Sequence, residues 1–133
     1  MMVYVICGLI GAGKTTFARN NFEIFLDFDE IGSKDLQLEL ARKLFKEGRE
    51  FGYITCYPTV RERLFFKAIA PLVTYIWIDT DLDTAHQRIL SRNRERDILN
   101  MRQVLRRNKE YQEQLRRSAL DFRMMDSMER LNG

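Results

Sequence analysis

The chain has 133 residues, 45% of them hydrophobic and 31% charged, with a formal net charge of +3. That length carries one hydrophobic core and excludes a second, so residues 1–133 are read as a single globular domain. No apolar run approaches the roughly 20 residues of a membrane span, and the start has neither a basic n-region nor a small-residue cleavage site; a cytoplasmic protein without membrane association is expected.

In chain order, residues 2–7 read as a buried strand, and "GLIGAGKTT" at 8–16 runs into a helix over 14–20. Residues 24–28 predict a second short strand that ends in acids. Ser33 caps a helix whose Leu36, Leu40 and Leu44 face the core until Gly48 stops it. Residues 51–56 predict strand three. Thr59 and Glu62 then have capping-box spacing, and Val60, Leu64, Phe65 and Ile69 form the apolar side of a helix that Pro71 ends. Residues 73–78 predict strand four. Leu82, Ala85 and Ile89 open a basic helix, an Arg-rich segment covers about 86–98, and a long helix over about 98–122 carries Ile98, Met101, Leu105, Tyr111, Leu115 and Phe122 on one stripe. No strand is visible after it in "LDFRMMDSMERLNG". Strands alternating with helices imply an α/β fold with a mostly parallel sheet of four or five strands and helices on both faces, because parallel strands need crossovers.

Cys7 and Cys56 are the only cysteines, with no further Cys or His at metal-ligand spacing, and read as reduced core residues. The charge is uneven: residues 86–117 hold ten Lys/Arg against four Asp/Glu, a local balance of +6 that points to an anionic partner.

Gly8, Gly13, Lys14 and Thr15 satisfy G-x-x-x-x-G-K-[ST], the P-loop pattern, in its confirming context between a buried strand and a helix. Gly8, Gly11, Ala12, Gly13 and Thr16 would bring backbone N–H groups and a helix N-terminus to phosphate oxygens. Lys14 would bridge the β- and γ-phosphates and the Thr15 hydroxyl would ligate Mg²⁺. The acids of "FLDFDEIG" come at the end of strand two, where reacting groups gather in a parallel sheet. Asp29, at the strand exit, is the first choice for the base that accepts a proton from an attacking hydroxyl, with Asp27 as the alternative. In "DTDLDTAHQRILSRNRERD", Arg88 and Arg92 share a helix face, with Arg94 and Arg96 close by, and would neutralise a transferring phosphoryl group. His86, roughly opposite those arginines, reads as a surface or packing residue.

These stretches together resemble the P-loop kinase group that contains the nucleoside monophosphate kinases and the 5′-hydroxyl polynucleotide kinases, over most of residues 2–97. The resemblance implies a three-layer sandwich, ATP and Mg²⁺ as cofactors, and a small lid. It implies Asp29 as the acceptor's base, Arg88 beside the nucleotide and Arg92 on the phosphates. Three departures stand out. Position 32 is Gly where polynucleotide kinases carry Arg, so a substrate-side contact is either missing or supplied elsewhere, with Lys34 as the candidate; Cys56 stands where strand three usually ends in a metal-supporting acid; and the usual fifth strand is not visible.

The expected activity is transfer of the γ-phosphoryl group of ATP to a nucleotide, a nucleoside or a nucleic-acid 5′ end. Within it, the basic segment 102–117 has the charge to track a polynucleotide backbone, although Tyr111 is its only aromatic residue. A kinase for another small hydroxyl compound, or a nucleotide-binding module without transfer, is the alternative. A GTPase switch is disfavoured, because the chain has no N-K-x-D motif.

Overall fold

A computed structural model of the chain describes residues 1–92 and 100–132. Strand β1 (Met2–Cys7) is the centre of the fold: Val3, Val5, Ile6 and Cys7 are fully buried, as expected of a parallel strand covered on both faces. It pairs with β3 (Gly52–Ile54) on one side and β4 (Leu72–Ile78) on the other, while β2 (Phe25–Asp27) and β5 (Arg123–Met125) form the edges. The order is β2-β3-β1-β4-β5, with every pairing parallel. The fold is therefore α/β, built on one five-stranded parallel sheet.

Helix α1 (Lys14–Asn21) carries the chain from the central strand out to β2; α2 (Phe28–Ile31) and α3 (Lys34–Lys46) follow that strand. Helix α4 (Val60–Ile69) links β3 to β4, and α5 (Leu82–Arg92) and α6 (Met101–Arg117) lie between β4 and β5. The step from β1 to β2 runs along the sheet in the opposite direction to all later steps, so right-handed crossovers put α1 on one face and α3 and α4 on the other. Ring contacts agree. Phe22, after α1, packs on Tyr4 at 5.4 Å between centroids, and Phe66 of α4 packs on Tyr53 at 4.8 Å. Tyr4 is in register with Gly52 and Val5 with Tyr53, so the two tyrosines project from opposite faces.

Several elements depart from the expectation. A fifth strand exists within "LDFRMMDS"; only Met125 of its three residues is buried, so pairing with Ile76, Trp77 and Ile78 defines it and no apolar alternation marks it. The last helix ends at Arg117, with Ser118 extended, and the part of the expected helix that spans 98–99 lies outside the described residues. Phe122 is thus not on the helical stripe. It sits on the way into β5, against Tyr57, Tyr75 and Trp77. In α4 the inward residues are Glu62 and Phe66, whereas Val60 and Leu64 are exposed. In α3 the core takes Gln37, Leu38, Ala41 and Leu44, and Leu36 faces out. No described helix is long and apolar enough to cross a membrane.

Candidate functional site

Residues 8–13 form a glycine loop between β1 and α1. Gly11 and Gly13 have φ of 86° and 100°, and a Cβ on them would fall 2.5 Å from the Ala85 carbonyl oxygen and 2.7 Å from Ser127 Cβ. Both backbone conformation and space therefore demand glycine. The loop is tied on three sides. Gly8 N–H donates to Cys56 O (2.9 Å), and Thr80 Oγ1 and Arg88 Nη1 both donate to Ala12 O at 2.9 Å. Asn108 of α6, wholly buried, accepts from Ile10 N–H at 2.7 Å and donates to Ile10 O at 3.0 Å. Helix α1 then begins with no side-chain cap and no acid of its own in the first turn. Residues 11–16 line a cleft of about 1420 Å³.

Lys14 Nζ donates to Gly8 O and Leu9 O, each at 2.8 Å, and lies 3.4 Å from Cys56 Sγ. The ammonium group is thus folded over its own loop. The Thr15 hydroxyl donates to Asp27 Oδ2 at 3.2 Å, and the other oxygen of Asp27 caps α2 by accepting from Asp29 N–H at 3.0 Å. Two adjacent ligands of octahedral Mg²⁺, each about 2.1 Å from the ion, are about 3 Å apart. The Thr15–Asp27 oxygen pair, 3.2 Å apart, fits that separation and would hold such an ion. No group of three or more His, Cys, Asp or Glu side chains poised for a metal occurs among the described residues.

The cleft brings together Gly11, Ala12, Gly13, Lys14, Thr15, Thr16, Asp27, Asp29, Arg88 and Arg92, whereas Gly8 sits buried behind them. Arg94 and Arg96 lie outside the described residues. His86 is half-buried on α5, and its Nε2 has no hydrogen-bond partner among the described residues. Lys34, named as a substrate contact, lines the cleft but donates to Glu62 at 2.9 Å and Gln37 at 3.0 Å, with the Phe28 and Tyr53 rings 5.4 and 5.5 Å away.

Sequence reasoning missed the polar supports. Glu62 was legible only as a cap, yet it is fully buried and also accepts from Tyr53 Oη (2.5 Å) and Thr55 Oγ1 (3.2 Å). Burial alone would raise its pKa; the bonds from Thr59, Tyr53 and Lys34 outweigh that and hold it below the ordinary 4.5. Burial and the same carboxylate push the Tyr53 hydroxyl well above its usual range. Tyr111 is pushed up to about 12 by burial and by Cys56. Asn108 carries no motif, and only its polarity inside a helical apolar face marks it out.

No family model matches the chain, and no curated protein is significantly similar to it. A glycine turn at a positive helix end, an ammonium group over the loop, a hydroxyl–carboxylate pair and two arginines suit a polyanion with a hard cation.

Proposed function

We propose that the protein is an ATP-dependent phosphotransferase of the P-loop kinase kind, acting on a nucleotide, a nucleoside or a nucleic-acid 5′-hydroxyl group. The observation that carries this reading is the convergence on one cleft of Lys14 over the glycine loop and the Thr15–Asp27 pair, 3.2 Å apart. In this reading the amides of the loop and of the first turn of α1 hold the triphosphate, and Lys14 exchanges the carbonyls of Gly8 and Leu9 for phosphate oxygens. Arg88, bonded to the Ala12 carbonyl, borders the nucleotide, and Arg92 faces the phosphoryl group in transfer. Thr15 and Asp27 would hold Mg²⁺, which when bound supplies charge neutralisation on the phosphate oxygens.

Of the two cleft acids, with Asp27 as the alternative, the acceptor's proton is assigned to Asp29, just past the end of β2. Its carboxylate takes that proton as the acceptor oxygen bonds to the γ-phosphorus and the bond from phosphorus to the β-bridging oxygen breaks, releasing ADP. A second reading, binding without transfer, is favoured by Cys56, which occupies the cleft beside Lys14 where an acid would support the metal.

The test is to follow label from γ-labelled ATP with Mg²⁺ into nucleoside monophosphates, nucleosides, 5′-hydroxyl oligonucleotides and simple sugar alcohols. Asp29→Asn is expected to slow transfer by roughly a hundredfold or more, while ATP affinity stays within about twofold. Wild-type transfer by Asp29→Asn would overturn its assignment as the base. Binding of ATP with no labelled acceptor would favour the second reading, and label in sugar alcohols alone would make the acceptor a non-nucleoside.

A further inference from the structure

Between Asp27 and Asp29 in the chain comes Phe28, which lines the cleft. Phe28 is 43% exposed and Val60, on the same lining, 61%. A single exposed phenylalanine would mean little. This one is held in place: the Lys34 ammonium group, itself fixed by Glu62 at 2.9 Å, lies 5.4 Å from the ring centroid. The ring is therefore steadied from one side by a cation and still open to the cleft. A cleft of about 1420 Å³ exceeds the roughly 300–1,000 Å³ taken by one drug-sized ligand, which leaves room for an acceptor beside ATP. A cation also lies on this lining, together with the two aspartates. Arg63, one turn along α4 from Thr59, lines the cleft with its Nε buried and without a hydrogen-bond partner among the described residues.

We infer that Phe28 is the shelf on which the acceptor's aromatic base stacks, with Val60 as a second apolar contact, so the acceptor is a base-bearing nucleoside or nucleotide and not a simple hydroxyl compound. The inference rests on the phosphotransferase reading for calling this the acceptor side. Stacking needs only the face of a π-system, so the shelf selects for a base without selecting which base.

The experiment measures binding, which does not require transfer. The full chain is saturated with Mg²⁺ and a non-hydrolysable ATP analogue, then titrated with adenosine, ribose, adenosine monophosphate and a short 5′-hydroxyl oligonucleotide. Adenosine is expected to bind at least tenfold more tightly than ribose. Phe28→Ala is expected to weaken adenosine by roughly tenfold and to leave ribose unchanged. Phe28→Leu, which keeps apolar bulk without a ring, should behave like Phe28→Ala. Phe28→Trp should retain binding, and its indole fluorescence should be quenched by adenosine and not by ribose, since Trp77 is buried. Whichever of the monophosphate and the oligonucleotide binds more tightly identifies the source of the base. Base-dependent binding that Phe28→Ala removes supports the shelf even if no phosphate moves, in which case only the kinase reading fails. Equal adenosine affinity in wild type and Phe28→Ala, full retention by Phe28→Leu, or an unquenched indole overturns the shelf even if label transfer succeeds.

Discussion

Glu62 shows how one residue couples the cleft to the core. Its carboxylate is fully buried and serves Thr59, Tyr53, Thr55 and Lys34 at once, and Lys34 in turn steadies Phe28. A carboxylate whose folded pKa lies below 4.5 contributes stability that is present above the ordinary carboxylate range and lost as pH falls through the lowered value. Thermal unfolding followed from pH 7 into acid should therefore show the wild-type midpoint falling below pH 4.5, with Glu62→Gln less sensitive across that window. At pH 7, Glu62→Gln should cost roughly 2 kcal/mol, because a charged acceptor of several bonds becomes neutral. Equal midpoints at pH 7 would contradict this role. The spacing of Thr59 and Glu62 announced the cap, since a capping box is local. Tyr53 and Lys34 are distant in sequence, so the remaining partners had no local signal. Lys14, Thr15 and Asp27 were legible for the opposite reason: a glycine pattern and a strand end each mark their own position.

Among the elements, α6 acts on the loop through Asn108. Its side chain satisfies both backbone groups of Ile10, 98 positions away in the chain. Asn108→Ala should leave that N–H and carbonyl without partners, at roughly 2–3 kcal/mol. Denaturant unfolding at neutral pH checks it; an unchanged midpoint would show that the loop does not depend on α6. The apolar period of α6 was legible, but its end was not, because Phe122 falls at helical spacing from Leu115 by coincidence and packs from the segment after Ser118. Strand β5 was hidden because Arg123 and Met124 are exposed and three residues hold too little pattern to read. In α4, four apolar residues suggested the buried side, yet the fold turned Phe66 and a charged Glu62 inward. Partners on β3, not hydrophobicity alone, determine that rotation. Val60 was thereby left exposed at the cleft.

At the scale of the whole molecule, the parallel sheet gathers the carboxyl ends of β1, β2 and β3 at one edge. The glycine loop, Asp27 and the segment leading to Cys56 meet there, as the crevice rule for open α/β sheets requires. That convergence was legible from the alternation of strands and helices, since right-handed crossovers leave few arrangements. The charge asymmetry was legible as well, and the fold divides it. Arg116 and Arg117 are spent on Glu113, while Arg88, Arg92 and Arg107 line the cleft with Lys14.

The central claim is that the loop, Lys14 and the first turn of α1 form a triphosphate cradle, and equilibrium titration of ATP with Mg²⁺ tests it most directly. Saturable binding by the wild type is predicted, weakened by roughly tenfold or more in Lys14→Ala, the loss expected when a charge-assisted bond to phosphate is removed. Absence of binding by the wild type, or equal affinity in Lys14→Ala, would contradict the cradle and the activity built on it.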